Sequence, residues 1–356
     1  MGEPVDSFRR LVVSSAVEQY ASAARLIELF RSSDLPVEIV ADDYAAIHHG
    51  TATRGGTLLA LHTPEVGWLS KADHGVLANR ASEWYLNPIM GCVYGCSYCY
   101  LLATPHGRRP LRFHLAVDQL VDAIDRCVER DGPNLLFSTG ELADSLADAR
   151  LFPIGATLAA AFGDGRRGQL ELRSKSDNIE ELLAVAHGGH TTVAFSISPQ
   201  EHIDAFEPGT ASLAQRVEAA HRCQEAGYPV ALKFEPLILT EGWQDQYAAA
   251  LMLVSRSVAM ANLDHVSVGC LRWSEQLGQQ QAFSRRYRDS MAAGTLIEYR
   301  PGVFNGTLNR ADRLAAYEWM RLLLRENGLT GRIWWSLEEP DMVDELNRGD
   351  RHVLSS

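Results

Sequence analysis

Three thiols crowd one short segment, Cys92-Val93-Tyr94-Gly95-Cys96-Ser97-Tyr98-Cys99-Tyr100, in a C-x3-C-x2-C spacing. The other cysteines, Cys127, Cys223 and Cys270, lie far apart in sequence. Closely spaced thiolates are the usual ligands of iron–sulfur clusters. Three of them in one loop can hold three irons of a cubane and leave the fourth iron open to a small molecule. Other readings exist. Structural zinc takes four ligands, commonly in paired C-x2-C or Cys/His sets; no second pair follows, and His106 and His114 stand at the wrong spacing for a finger. A disulfide framework needs an oxidising compartment and usually a short secreted chain. This chain has 356 residues and no signal peptide, so it fits neither condition. The spacing favours a cluster over zinc or purely structural cysteines.

The elements that must position such a loop follow from the rest of the chain. With 46% hydrophobic residues and 22% charged, it is long enough for a large core. No run of eighteen apolar residues suggests a membrane span. The start, Met1-Gly2-Glu3-Pro4-Val5-Asp6, lacks the basic and apolar regions of a secretory signal. A reduced cytoplasm is the expected location. Net charge is −12, which disfavours attraction to a phosphate backbone without excluding DNA. Basic stretches occur at Arg108-Arg109-Pro110-Leu111-Arg112, Arg166-Arg167 and Arg285-Arg286-Tyr287-Arg288. Such runs are usually solvated faces.

Strand-like and helix-like segments alternate after the cysteines. Strands are expected at 82–88, 134–138, 169–174, 191–198, 230–236 and 266–270. Between them, helices are expected at 116–130, 149–162, 178–187, 212–226 and 244–257. This alternation predicts parallel βαβ units. Polar residues stand just past each strand: the cysteine loop, Thr139-Gly140-Glu141, Lys175, Ser196 and Ser198, Lys233 and Glu235, Cys270 and Arg272. In parallel α/β barrels that edge holds the active site. The expected fold is α/β, a partial (β/α)6 barrel over residues 81–356. A small N-terminal α/β extension over 1–80 precedes it, with a helix at 17–30 and strands at 37–40 and 57–61. A helix at 310–326 and a strand at 332–336 finish the chain.

The cysteine spacing, with Tyr98 before the third cysteine, matches the radical S-adenosylmethionine (SAM) enzymes. More specifically, the chain resembles the spore photoproduct lyases, which repair a thymine dimer in spore DNA. The likeness rests on the cysteine loop through Tyr100-Leu101, Arg108-Arg109-Pro110-Leu111-Arg112, Ala205-Phe206-Glu207-Pro208-Gly209-Thr210, Arg216, Ala226-Gly227-Tyr228 and Glu241-Gly242-Trp243. It implies that Cys92, Cys96 and Cys99 ligate a [4Fe–4S] cluster whose open iron is chelated by SAM. It also implies SAM contacts from Thr139, Gly140, Glu141, Lys175, Ser196, Ser198 and Arg216. Tyr98 and Tyr100 match family tyrosines implicated in relaying a hydrogen atom. An electron donor such as flavodoxin or ferredoxin is implied as a partner.

One departure bears on the reaction. The lyases carry a hydrogen-donating cysteine at the end of the second strand. Here Phe137-Ser138-Thr139-Gly140-Glu141-Leu142-Ala143-Asp144-Ser145 contains none. Cys270 is the candidate replacement, although a buried inert cysteine is the commoner case. The C-terminal part, with Asn305, Asn309 and Trp334-Trp335, resembles the lyases poorly. The expectation from these departures is a 5′-deoxyadenosyl radical acting on a nucleoside, sugar-nucleotide or related metabolite. Such an enzyme makes, breaks or rearranges a C–C bond in specialised metabolism. The alternative is spore photoproduct lyase activity in DNA repair.

Overall fold

A computed structural model describes residues 5–51, 56–72, 83–104, 110–278, 287, 291, 297–299 and 306–354. The chain divides into two compact units. The first takes residues 1–72, 82–94 and 104–191, and the second 73–81, 95–103 and 192–356.

The first unit opens with a βαβαβ run: β1 (Arg10–Ser14), α1 (Ala21–Ser32), β2 (Val37–Val40), α2 (Asp43–Thr51) and β3 (Thr57–Leu61). The helix expected at 17–30 starts later, because Ser15–Val17 form a 3-10 turn capped by the Ser14 side chain. After β3 come β4 (Leu69–Lys71), β5 (Glu83–Leu86), β6 (Ile89–Met90), β7 (Leu111–His114) and α3 (Val117–Asp131). The first sheet runs β2-β1-β3-β7-β6. Every residue of β3 is buried, as expected of a parallel strand covered on both faces. Strand β7 was not expected: Arg112 in it pairs with Glu65 at 3.3 Å, with its side chain 1% exposed.

The same unit continues with β8 (Leu136–Thr139), α4 (Ile154–Phe162), β9 (Gln169–Ser174) and the single turn α5 (Glu180–Leu183). Strands β9-β8-β5-β4 are neighbours in that order. Tyr85, Ser138 and Glu171 stand side by side in register across β5, β8 and β9. The second unit carries β10 (Thr191–Ser196), α6 (Gln200–Phe206), α7 (Leu213–Glu225), β11 (Val230–Leu237), α8 (Trp243–Ser257) and β12 (His265–Cys270). It then adds β13 (Arg272–Trp273), α9 (Glu275–Gly278), β14 (Ile297–Tyr299), β15 (Gly306–Leu308), α10 (Arg310–Glu326), β16 (Arg332–Trp335) and α11 (Pro340–Leu354). Strands β10, β11, β12 and β16 are parallel neighbours, and β10 and β12 are buried throughout. Their register aligns Ser196, Lys233 and Ser267 in one row. Strands β13-β15-β14 form a small antiparallel sheet.

Two further helices differ from expectation for local reasons. The segment 149–153 is not part of α4; Asp148 O instead accepts the N–H groups of Leu151 and Phe152, and the helix starts after Pro153. The helix expected over 178–187 is one turn, with Leu182 its buried residue. Past it, Gly188 and Gly189 take positive φ and His187 Nδ1 accepts the Gly189 N–H at 3.1 Å.

Candidate cluster and cosubstrate site

The cysteine loop is held by the residues between its cysteines. In the first unit, Gly91 takes φ 93 and donates its N–H to Leu142 O at 2.9 Å, just before Cys92. In the second unit, Gly95 N–H reaches Pro208 O at 3.2 Å, and Ser97 N–H reaches Phe206 O at 2.9 Å. The Ser97 hydroxyl contacts Phe206 O at 3.2 Å and Tyr287 Oη at 3.0 Å. A Cβ on Gly95 would stand 3.3 Å from Pro208 Cγ, so the loop runs close against this segment. Tyr98 is buried and donates its hydroxyl to Glu207. Tyr100 opens a 3-10 turn over Tyr100–Ala103 and is half-buried.

Glu207 is the hub of the second unit's polar cluster. Besides Tyr98, it accepts Ser198 Oγ at 3.3 Å and the guanidinium of Arg216. Arg216 has no exposed surface. It also donates to Ser196 O at 3.0 Å, Ala211 O at 2.9 Å and Thr210 Oγ1 at 2.7 Å. Burial, and then the Glu207 carboxylate, push the Tyr98 phenol well above its ordinary value. Arg216 therefore works behind the end of β10, holding the backbone that presents Ser196. Along the strand ends, Lys233 Nζ lies 3.3 Å from Glu235, which also accepts the Ser267 hydroxyl.

Cys270 closes β12. Its N–H donates to Tyr317 Oη at 2.9 Å, and Tyr317 donates onward to Glu338 at 2.7 Å. Arg272 and Arg313 complete the shell of Glu338 at 2.6 and 3.0 Å. Burial pushes the Cys270 thiol up to about 12, with the Tyr317 hydroxyl and two arginines working against it. At neutral pH the group is S–H.

In the first unit, Thr139 ends β8 and its hydroxyl meets Ser145 Oγ at 2.7 Å. Gly140 turns the chain at φ 97, where a Cβ would fall 2.9 Å from Arg173 O. Glu141, with 28% of its side chain exposed, lies 3.7 Å from Arg173. Arg173 also pairs with Glu171 at 2.7 Å and with Glu83, above the ring of Tyr85. Lys175 follows β9 and donates its N–H to Asp144 at 2.7 Å; Asp144 also takes Ser174 Oγ and the N–H groups of Leu146 and Ala147.

These residues fit an iron–sulfur cluster. None of the three cysteines is in a disulfide, and Gly95, Ser97 and Tyr98 anchor the loop by hydrogen bonds. Among the described residues, no three His, Cys, Asp or Glu side chains converge on a single-ion site. In a cubane each thiolate takes a different iron, so convergence on one point is not required.

The family model described as spore photoproduct lyase matches residues 66–290, more than half of the chain. The chain belongs to the spore photoproduct lyase family. That family consists of radical SAM enzymes with a [4Fe–4S] cluster. A spore photoproduct lyase of Bacillus subtilis (strain 168) is 30% identical over 172 residues, covering 48% of this chain and half of that protein's length. One of Clostridium acetobutylicum is 24% identical over 259 residues, covering 72% and 76%. Among solved structures, a spore photoproduct lyase complexed with dinucleoside spore photoproduct superimposes with a TM-score of 0.76 at 18% identity, covering 92% of this chain and 99% of the other. A mutant with bound AdoMet and the same dinucleoside gives 0.74 at 18%, with the same coverage. The fold is the partial barrel of that group, as expected from the alternation of strands and helices.

Several residues had no expected role: in the first unit Asp144, Asp148 and the Glu83–Arg173–Glu171 set, and in the second unit Glu207 and Tyr317 with Glu338. Glu207 stands inside a block that carries the resemblance, yet its partner Tyr98 is 109 positions away. Of the basic stretches, Arg166 pairs with Asp164, and Arg167 is buried against Asp125. Arg108, Arg109, Arg285, Arg286, Arg288, His106 and Asn305 lie outside the described residues. Asn309 caps α10 through Asp312 N at 3.0 Å, Trp334 stacks under Arg332, and Trp335 packs against Tyr317. His114 is buried and donates its Nδ1–H to Pro88 O at 3.2 Å. Among the described residues no helix is long and apolar enough to cross a membrane.

Proposed function

We propose that this chain is a radical SAM lyase that reverses a dinucleoside-type thymine photoproduct, with duplex DNA as its larger substrate. The family match across residues 66–290, spanning the cysteine loop and the Glu207 block, carries this reading. Relatives bearing the lyase name, and a structural neighbour bound to the dinucleoside, support it. Cys92, Cys96 and Cys99 hold the [4Fe–4S] cluster. Ser196, Ser198, Thr139, Gly140, Glu141 and Lys175 bind SAM, with Arg216 acting through the backbone of Ser196. Together the two groups, when bound, supply a carbon radical that abstracts hydrogen from substrate held within van der Waals reach. The protein's own contribution is to orient the dimer and to return a hydrogen atom.

That return needs a donor, since residues 137–145 hold no thiol. Cys270, kept as S–H, gives its hydrogen atom to the product radical; the S–H bond breaks as the C–H bond forms. Tyr100 and Tyr98 are the other hydrogen-carrying side chains of the site. Flavodoxin or ferredoxin supplies the electron. A second reading, chemistry on a nucleoside or sugar-nucleotide metabolite, is favoured by the net charge of −12 and by the missing thiol.

One experiment separates them. Reduced, cluster-loaded protein with SAM is incubated with dinucleoside spore photoproduct, and the released thymine dinucleoside is quantified. Recovery is expected, and it should fall sharply in Cys270→Ala. Formation of 5′-deoxyadenosine with no recovery leaves the metabolite reading standing. Full recovery by Cys270→Ala moves the donor role to the tyrosines.

A further inference from the structure

The segment Phe206-Glu207-Pro208 receives the cysteine loop in two ways. Its carbonyls at Phe206 and Pro208 take the N–H groups of Ser97 and Gly95, and the side chain between them takes the Tyr98 hydroxyl. The loop has no regular structure between Gly95 and Cys99, so these bonds fix its backbone. Glu207 then reaches beyond the loop, to Ser198 and through Arg216 to Ser196 O. One carboxylate thus joins the loop carrying Cys96 and Cys99 to the end of β10.

A buried ion pair is weak evidence for stability, because well-packed apolar residues often do as well. Glu207 and Arg216 are 2% and 0% exposed. What an apolar pair cannot do is hold two separate segments by directed bonds from opposite sides. Arg216 presents a planar fork, and its donors go to Glu207, Thr210 Oγ1, Ala211 O and Ser196 O. A group bound by the loop on one side and by Ser196 and Ser198 on the other needs these two segments in fixed register.

We infer that Glu207 is a positioning residue: held by Arg216, it locks Tyr98 and so fixes the cluster loop relative to Ser196 and Ser198. The inference rests on reading the three cysteines as cluster ligands. In that arrangement, Glu207 and Tyr98 govern how tightly SAM meets the cluster, while iron retention is governed by the cysteines.

The test compares the wild type with Glu207→Gln, Tyr98→Phe and the double variant, each reconstituted with iron and sulfide under anaerobic conditions. Three quantities are measured: iron per chain, the melting temperature of the apo chain, and the SAM concentration that half-changes the EPR spectrum of the reduced cluster. Expected are near-wild-type iron and a SAM requirement raised about tenfold in each single variant, as removing such outer partners usually costs. The double variant should be no worse than Glu207→Gln, because both changes cut the same link. Tyr98→Phe leaves the Glu207–Arg216 pair intact, so it decides the matter alone if Glu207→Gln does not fold. A lowered melting temperature with an unchanged SAM response makes Glu207 merely structural and overturns the inference. Wild-type protein that takes up no iron overturns the cysteine reading beneath it.

Discussion

Asp148 shows how much a single buried group can set. It is 6% exposed. Burial, and then the neighbouring Asp144 carboxylate, push it up to about 7. The folded chain therefore keeps this proton to a higher pH than the unfolded chain, whose carboxyl titrates near ~3.9. The stability it contributes is complete below about pH 4 and drains away as pH rises toward 7. Asp148→Asn never ionises, so it should match the wild type at pH 4 and exceed it at pH 8 by up to about 4 kcal/mol. Urea midpoints at the two pH values check this; equal differences at both would show that Asp148 is not held protonated. Residues of this kind were invisible in the sequence. The grouping of Cys92, Cys96 and Cys99 in one loop is legible because spacing is what a sequence displays. Glu207 with Tyr98, and Asp144 with Ser174, depend on partners 109 and 30 positions distant, which only the fold brings together.

Elements were legible where periodicity and breakers agreed. Strands β2, β3 and β9 and helix α10 begin and end where apolar patterning and turn residues place them. Helix α7 starts at a capping box, Ser212 with Gln215, that the sequence displays. Strand β7 was missed because Arg112 and His114 read as polar, although both are buried. Neither charge nor polarity reveals a side chain that a neighbouring acid has taken into the core. The β8–β9 connection offers a sharp test of element geometry. Gly140 needs both its positive φ and its missing Cβ, whereas Gly132, ending α3 at φ 88, has nothing within 4 Å of a built Cβ. Backbone strain of this kind costs about 1–3 kcal/mol. Gly132→Ala should show that cost alone, and Gly140→Ala should exceed it, since the Arg173 carbonyl cannot give way as a flexible side chain can. Equal losses in thermal denaturation would mean the loop shifts freely. Reduced SAM binding in Gly140→Ala at a temperature where it stays folded would tie the same turn to the site.

Across the whole molecule, acidic residues outnumber basic ones by 45 to 33, and many of the arginines face inward. Arg112, Arg167, Arg216, Arg313 and Arg321 are all buried, and Arg173 is surrounded by Glu83, Glu171 and Glu141. A protein that grips a duplex by its phosphates releases counterions, and log K then falls with log salt by about 0.9 per phosphate. With those arginines buried and a net charge of −12, this chain should bind undamaged duplex weakly, with a slope shallower than about −3. On the lyase reading proposed above, discrimination of a lesion then rests on the cost of unstacking, which is lowest at damaged steps. Titrating labelled duplexes with and without a single photoproduct, at several salt concentrations, measures both parts. The lesion should raise affinity while leaving the slope nearly unchanged. A steep slope on undamaged DNA, near −6 or beyond, would instead assign the chain a basic face and make charge, not the lesion, the main source of its affinity.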